Sequence, residues 1–248
     1  VNQDEVVLEV GDCDYDERTH HIGIKVYRGE VVGLYGLVGS GRTEFAEAIY
    51  GVRRMQHADI VFNGEKIKQC ETQKMIDRGM IMTPEKRANA IFASDTLIDN
   101  IAILFMGKLC SKFLGFIQPK RNENIALKVL QENKVKYSDP KQAIRELSGG
   151  NIQKIIVGRS LNVENISLLI MDEPTTGLDL GAKHDVYVVA RRLADEDRIS
   201  SIFISSELNE LLSVCNRIYI FANGNVTGMV ERESFDKEYI LNAAFRRA

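Results

Sequence analysis

Hydrophobic residues in the first part of the chain fall into short β-type segments separated by turn residues. The predicted strands cover residues 6–10, 22–27, 31–35 and 59–62. One helix is predicted between the third and fourth of them, because Phe45, Ala48 and Ile49 follow Gly41 with i, i+3, i+4 spacing. The pattern is therefore a strand, a glycine-containing loop and a helix.

The middle of the chain, residues 97–161, lacks strand alternation and carries helical patches such as Ala126, Val129 and Leu130. From residue 166 the pattern changes to an apolar strand at 166–171, an amphipathic helix around Val186 and Leu193, and a buried strand at 202–204. Strands that alternate with helices favour a mostly parallel sheet. We expect an α/β core, about 1–96 and 162–248, with a helical lobe at about 97–161.

Composition narrows the class of protein. The net charge of -3 over 248 residues gives no general attraction to nucleic acid, which we do not expect as a partner. No apolar run reaches the roughly 20 residues of a transmembrane helix, so any membrane role is expected to act through a partner. The apolar stretch 101–117, interrupted by Lys108 and Lys112, is interpreted as lobe core with a face for that partner rather than as a membrane-binding segment.

The cysteines and histidines suggest no metal site or disulfide framework. Cys13, Cys70, Cys110 and Cys215 are widely spaced, so reduced thiols are the expected state. The four histidines have no metal-like spacing. The chain opens at Val1 rather than at a methionine, which indicates a piece of a longer protein.

Residues 36–43 match the phosphate-loop spacing G-x-x-x-x-G-K-[ST] except that arginine replaces the lysine. Glycines in such a loop let backbone N–H groups surround phosphate oxygens at a helix N-terminus, and the threonine can bind Mg²⁺. Guanidinium keeps the lysine's charge but not its compact shape. The sequence therefore predicts nucleotide binding with slow hydrolysis, by the residues Gly36, Gly39, Ser40, Gly41, Arg42 and Thr43.

A second candidate site follows the apolar strand that ends in Asp172 and Glu173. Carboxylates at this end of a parallel strand lie where α/β sheets bind ligands. We expect Asp172 to hold Mg²⁺ beside Thr43, and Glu173 to orient the water that attacks the γ-phosphate. Taken alone, the pair could equally be a solvated strand end.

The segment 147–151, Leu-Ser-Gly-Gly-Asn, lies between these two motifs and precedes a predicted helix. It resembles the signature motif of ABC ATPases, and the order of the motifs is that of the ABC family. The resemblance covers nearly the whole chain and implies a P-loop NTPase core of RecA type with an N-terminal antiparallel β subdomain and a helical subdomain. It also implies that Ser148, Gly149 and Gly150 contact the γ-phosphate held by a partner domain.

Further residues extend the resemblance. Residues 176–179 match the D-loop, with Asp179 facing the opposite subunit, and Ser206 stands where the family usually has its switch histidine. Residues 79–90 carry Thr-Pro-Glu-Lys and no glutamine at the Q-loop position. Tyr15 is the candidate for stacking on adenine, the alternative being an ordinary surface tyrosine.

Together these departures resemble the C-terminal ATPase half of duplicated ribose-, galactose- and xylose-type importers. The residues that carry this likeness are G-R-T-E at 41–44, P-E-x-R at 84–87, L-S-G-G-N at 147–151 and I-S-S-E-L at 204–208. The resemblance implies an ATP- and Mg²⁺-dependent importer ATPase at the cytoplasmic face of the inner membrane. Its implied partners are a second ATP-binding domain in head-to-tail contact, permease subunits and, indirectly, a solute-binding protein.

Three alternatives remain at this point. The chain could be a non-hydrolytic ATP-binding scaffold, which Arg42 and Ser206 favour and the intact Asp172 and Glu173 oppose. It could serve a nucleoside importer, since such importers use similar ATPases. ABC-type proteins of DNA repair and of the ribosome are disfavoured, because the sequence has no zinc cysteines, coiled-coil insertion or basic linker.

Overall fold

The computed structural model describes residues 5–15, 22–55, 57–105, 119–163 and 165–245. The chain forms two compact units, one comprising Val1–Glu85, Asn165–Pro174 and Asp185–Ala248, the other Lys86–Glu164 and Thr175–His184. The predicted helical lobe, 97–161, falls within the second unit. The part of the chain that contains Cys110 and most of the apolar stretch 101–117 lies outside the described residues.

The strands and helices are numbered in chain order. The strands are β1 (Val6–Cys13), β2 (Ile24–Tyr27), β3 (Val31–Gly36), β4 (Ala58–Phe62), β5 (Glu65–Ile67), β6 (Met80–Thr83), β7 (Leu168–Asp172), β8 (Ser200–Ser205), β9 (Arg217–Ala222) and β10 (Asn225–Glu231). The helices are α1 (Arg42–Tyr50), α2 (Thr72–Asp77), α3 (Leu97–Ala102), α4 (Pro119–Glu132), α5 (Gly149–Leu161), α6 (Leu180–Asp195), α7 (Leu208–Val214) and α8 (Lys237–Ala244).

The first unit contains two sheets. Antiparallel strands form the smaller one in the order β2-β1-β4-β5. The larger has the order β10-β9-β3-β8-β7-β6, in which all neighbours run parallel except the edge hairpin of β9 and β10. No prediction covers β5, β6, β9 or β10. Strand β9 is buried along its whole length, so it lacks the alternation that marks a half-exposed strand.

Helix α1 packs one face into the core of the first unit. Phe45, Ala48 and Ile49 are fully buried, as their helical spacing predicts. The Phe45 ring lies 5.6 Å from that of Phe221 on β9 and 6.0 Å from that of Tyr15. This packing fixes the helix that begins directly after the glycine loop.

The second unit has its own core, built from α3, α4 and α5 with side chains such as Leu97, Val129, Leu130 and Ile155. Buried Arg159 on α5 donates to the carbonyl oxygen of Asn100 at 2.6 Å and to that of Ala90. Burial lowers the pKa of Arg159 to about 10. These bonds tie α3 and the segment that precedes it to α5. The two sheets and the helical unit agree with the predicted fold class.

We expect Phe45→Ala to lower the free energy of unfolding by about 3–5 kcal/mol, because the aromatic ring leaves a cavity in the core. Phe245→Ala removes a ring that is 63% exposed and is the matched control, with an expected change within about 0.5 kcal/mol. Urea denaturation of both variants measures the difference. Equal losses of stability would contradict the central position of Phe45.

Candidate functional site

Three parallel strands of the larger sheet end at the same edge. Strand β3 ends at Gly36, β7 at Asp172 and β8 at Ser205. The register pairs Tyr35 with Ser205 and Asp172 with Ile204. The glycine loop, the two predicted carboxylates and Ser206 therefore follow the carboxyl ends of adjacent strands, which is where open α/β sheets bind their ligands.

The glycine loop runs from β3 to α1 and depends on two glycines. A Cβ on Gly36 would lie 2.5 Å from the Ser40 Oγ and 2.6 Å from the Phe221 carbonyl oxygen, so no larger residue fits. Gly41 has a left-handed φ of 98° and caps α1 without a side-chain hydrogen bond. The first N–H groups of α1 are thus available to an anion. The Ser40 hydroxyl is also buried, and no described residue bonds it.

Arg42 is the first residue of α1 and is only 7% exposed. Its Nη1 lies 3.7 Å from the Oε1 of Glu173 and makes no hydrogen bond within the described residues. Burial lowers the pKa of Arg42, while the charges of Glu173 and then Asp172 oppose that shift. Arg42 is therefore a buried cation whose pairing is incomplete.

Asp172 is 1% exposed, and no hydrogen bond within the described ranges reaches either carboxylate oxygen. Burial raises the pKa of Asp172 to about 7; the Thr43 hydroxyl acts against the shift, and the charges of Glu85 and Glu173 add to it. Thr43 thus lies beside Asp172 without a hydrogen bond of regular geometry. A carboxylate that no protein group satisfies, next to a hydroxyl, is a donor set that suits Mg²⁺.

Glu173 adopts a left-handed backbone conformation, with φ 43°, which costs a residue with a Cβ about 1 kcal/mol or more. Its N–H donates to the carbonyl oxygen of Ile204 at 3.0 Å. Its Oε1 accepts a hydrogen bond from the backbone N–H of Ser206 at 2.7 Å. Ser206, which was predicted only to stand where the family usually has its switch histidine, contacts Glu173 through its main chain, and the residue is exposed.

The predicted signature residues lie in the second unit. Ser148 precedes α5 in an extended conformation, and its Oγ accepts a hydrogen bond from Asn151 at 2.9 Å. A Cβ on Gly150 would approach the Cβ of Ala182 to 2.9 Å. The carboxylate of Asp179, also in this unit, accepts from the N–H of Ala182 at 2.9 Å, so it caps α6.

Arg87, in the second unit, was predicted only as the last residue of the P-E-x-R pattern, without a role. A Cβ on Gly149 would lie 2.9 Å from its Nη1, and one on Gly177 would lie 3.1 Å from its Nη2. The guanidinium therefore lies against Gly149 of the signature segment and Gly177 of the D-loop segment. The P-E-x-R pattern at 84–87 was the available signal, but sequence alone does not reveal which loops the arginine reaches.

Tyr15 is buried, which contradicts the interpretation as a surface tyrosine. It is 6% exposed, and its ring packs on Phe45. Its hydroxyl lies 2.9 Å from the Gly224 carbonyl oxygen and 3.2 Å from that of Gly41. The ring presents little free surface to a base, and it braces the end of the glycine loop.

The described residues contain neither a membrane-spanning helix nor a metal-binding cluster. No helix there combines the length and hydrophobicity needed to span a bilayer. No three His, Cys, Asp or Glu side chains in the described ranges cluster as a metal site. Cys13, Cys70 and Cys215 are free thiols, and burial raises the pKa of the first two to about 12 and about 11.

A mostly parallel sheet with a glycine loop between β3 and α1, and with carboxylates after β7, defines a P-loop NTPase fold. A family described as ABC transporter matches residues 19–176. The chain therefore belongs to the ABC transporter family, and the predicted resemblance to its ATP-binding proteins is confirmed.

Curated relatives and solved structures agree with this assignment. The galactose/methyl galactoside import ATP-binding protein of Treponema pallidum is 35% identical over 94% of this chain and 46% of its own length. The arabinose import ATP-binding protein of Rhizobium johnstonii is 34% identical over 96% of this chain and 47% of its own. The chain thus spans about half the length of these relatives.

Solved structures support the fold. A nucleotide-free ATP-binding cassette from an ABC transporter has a TM-score of 0.78 at 22% identity, covering 96% of this chain and 94% of that one. A dimeric cassette bound to ADP and phosphate has a TM-score of 0.77 at 17% identity, covering 92% and 100%.

The raised pKa of Asp172 predicts that the stability of the folded chain depends on pH. The folded chain holds its proton up to about pH 7, whereas the unfolded chain releases it near pH 3.9, so this group lowers stability as pH rises through that interval. We expect Asp172→Asn in EDTA to unfold like the parent near pH 4 and to be more stable by roughly 1–3 kcal/mol at pH 8.

Chemical denaturation across this pH range measures the effect. Glu196→Gln, at an exposed carboxylate, is the control and should give no such trend. A constant difference between parent and Asp172→Asn at every pH would contradict the assignment.

Proposed function

We propose that this chain is an ATP-binding and hydrolysing half-subunit that powers import of a monosaccharide across the bacterial inner membrane, with a weak site of its own. The observation that carries the proposal is the set of unsatisfied groups at one sheet edge: Ser40 Oγ, Arg42 Nη1 and both Asp172 oxygens. Their charges and positions suit a Mg²⁺–triphosphate. The relatives named for galactose and arabinose import supply the substrate class.

In this proposal the loop from Gly36 to Thr43, including Gly39 and Gly41, surrounds the phosphates with backbone N–H groups. Thr43 and Asp172 would hold a Mg²⁺ ion, which would neutralise phosphate charge when bound. Arg42 supplies a further positive charge. Asp172 is buried without a partner, so a cation would relieve the cost of its ionised form.

Glu173 is the group proposed to orient the attacking water. Its carboxylate accepts a hydrogen bond from the Ser206 N–H, and a serine at position 206 offers neither the reach nor the charge of an imidazole. Arg42 differs from lysine in shape and in how it distributes charge. Slow turnover follows from these two substitutions.

The other proposed contacts involve a partner. Ser148, Gly149, Gly150 and Asp179 would face the nucleotide of a second ATP-binding domain in a head-to-tail dimer. The chain would then be a single ATP-binding domain, 1–248, excised from a longer protein, with its core at about 1–96 and 162–248 and its lobe at about 97–161. The half-length match to the relatives supports this. Permease subunits, and indirectly a solute-binding protein, would complete the importer at the cytoplasmic face.

A non-hydrolytic scaffold is the second candidate. The contact between Arg42 and Glu173 favours it, since the proposed catalytic carboxylate then faces a buried cation of its own chain. In that case ATP binding would hold a dimer together without turnover. An importer of nucleosides remains a variant of the first proposal, because no contact described above distinguishes the solute.

Turnover of Mg-ATP by the isolated chain distinguishes enzyme from scaffold. We expect slow hydrolysis by the parent and a rise of about tenfold or more in Arg42→Lys/Ser206→His, because compact charge and an imidazole return to the site. Phosphate release at saturating ATP is the measurement. The control is the same double variant with Glu173→Gln, which should be inactive. Nucleotide binding without turnover in parent and double variant would instead support the scaffold.

Transport tests the division of roles between the two motifs. In cells that carry the native protein with its permease, we expect Ser148→Ala to reduce sugar uptake more than Glu173→Gln does, because Ser148 would serve the partner's intact site. The matched control is Ser138→Ala, at an exposed serine of the same unit. Equal or reversed losses of uptake would contradict the assignment.

A further inference from the structure

Arg42 and Glu173 form a contact that the proposed reaction does not require. The nitrogen Nη1 and the oxygen Oε1 are 3.7 Å apart, and the two side chains are 7% and 13% exposed. The same oxygen accepts the hydrogen bond from the Ser206 N–H at 2.7 Å. One carboxylate oxygen is thus shared between a backbone donor and a buried cation.

We propose that Glu173 is the counter-ion of Arg42 as long as no nucleotide is bound. A γ-phosphate must then displace Glu173 from Arg42 in order to bind. The inference rests on the proposed nucleotide site and deepens it. It assigns the weakness of the site to competition between the chain's own carboxylate and the substrate for one guanidinium.

A buried guanidinium requires an anion, and Glu173 is the anion that meets this need. Of the charged groups that act on Arg42, Glu173 raises its pKa most and Glu44, two residues along α1, raises it least. The ion pair joins α1 to the end of β7, so it holds the glycine loop against the strand that carries both carboxylates.

The pair is nevertheless incomplete. At 3.7 Å it is longer than a charge-assisted hydrogen bond, and Nη1 has no hydrogen-bond acceptor among the described residues. A phosphate carries more charge and offers more acceptors than one carboxylate, so it is the better partner for this nitrogen. After displacement Glu173 still keeps the Ser206 N–H as its donor. The exchange leaves no newly unpaired group in the site.

Competition from Glu173 for Arg42 lowers the affinity for nucleoside triphosphates, whose γ-phosphate reaches Arg42. It lowers the affinity for nucleoside diphosphates, which end at the β-phosphate, to a smaller extent. Glu173→Gln removes the competing charge and keeps the side-chain shape and the acceptor for Ser206. Binding of a non-hydrolysable triphosphate separates this effect from loss of turnover, because neither parent nor variant can cleave it.

The experiment measures dissociation constants for AMP-PNP and ADP with Mg²⁺ by calorimetry on the 248-residue chain. The proteins are the parent, Glu173→Gln, Arg42→Met and the double variant. We expect Glu173→Gln to tighten AMP-PNP binding about fivefold and ADP binding less than about twofold. In the Arg42→Met background the same change should tighten AMP-PNP binding less than about twofold, since no cation is left to release.

Glu44→Gln is the matched control: it removes the same charge from the first turn of α1, and its AMP-PNP affinity should equal that of the parent. Arg42→Gln replaces Arg42→Met if the latter does not fold. If Glu173→Gln tightens AMP-PNP binding equally with arginine and with methionine at position 42, the effect is general charge repulsion and the inference is overturned. The inference is also overturned if Glu173→Gln does not tighten AMP-PNP binding at all. A parent chain that binds neither nucleotide would overturn the proposed function itself.

Discussion

Five strands of the larger sheet run parallel, and this direction brings the carboxyl ends of β3, β7 and β8 to one edge. Every group of the candidate nucleotide site follows from that constraint. The glycine loop leaves β3, the two carboxylates leave β7, and Ser206 follows β8. A one-residue shift in the pairing of Asp172 with Ile204 would move the hydrogen bond between Glu173 and Ser206 out of reach.

The same edge concentrates charges that the fold alone does not satisfy. Arg42 and Asp172 are nearly fully buried and incompletely paired, an arrangement that costs stability unless a ligand completes it. Glu173, the next residue, adds the cost of a left-handed backbone conformation. Strain and unsatisfied charge in adjacent residues are typical of a binding site. The rest of the first unit compensates with a continuous apolar core that includes Phe45 and Phe221.

The second unit organises its glycines in a different way. Arg87 lies against Gly149 and Gly177, so its guanidinium would have to shift to admit a side chain at Gly149, while the positive φ of Gly177 disfavours one there. Asp179 caps α6, and Ser148 bonds Asn151. The signature and D-loop segments are thus shaped by contacts within their own unit, independently of any partner.

Sequence by itself determined the α/β class, the glycine loop, the carboxylates after β7 and the order of the motifs, because these depend on local spacing and on backbone conformations that few residues adopt. Phe45, Ala48 and Ile49 were placed correctly in the core for the same reason. Only the tertiary structure decided that Tyr15 is buried, that the Ser206 N–H contacts Glu173, that Arg87 lies against two glycines and that Arg42 meets Glu173. Each of these contacts joins residues far apart in the chain, and such contacts are fixed by strand register and side-chain reach, which no local pattern encodes.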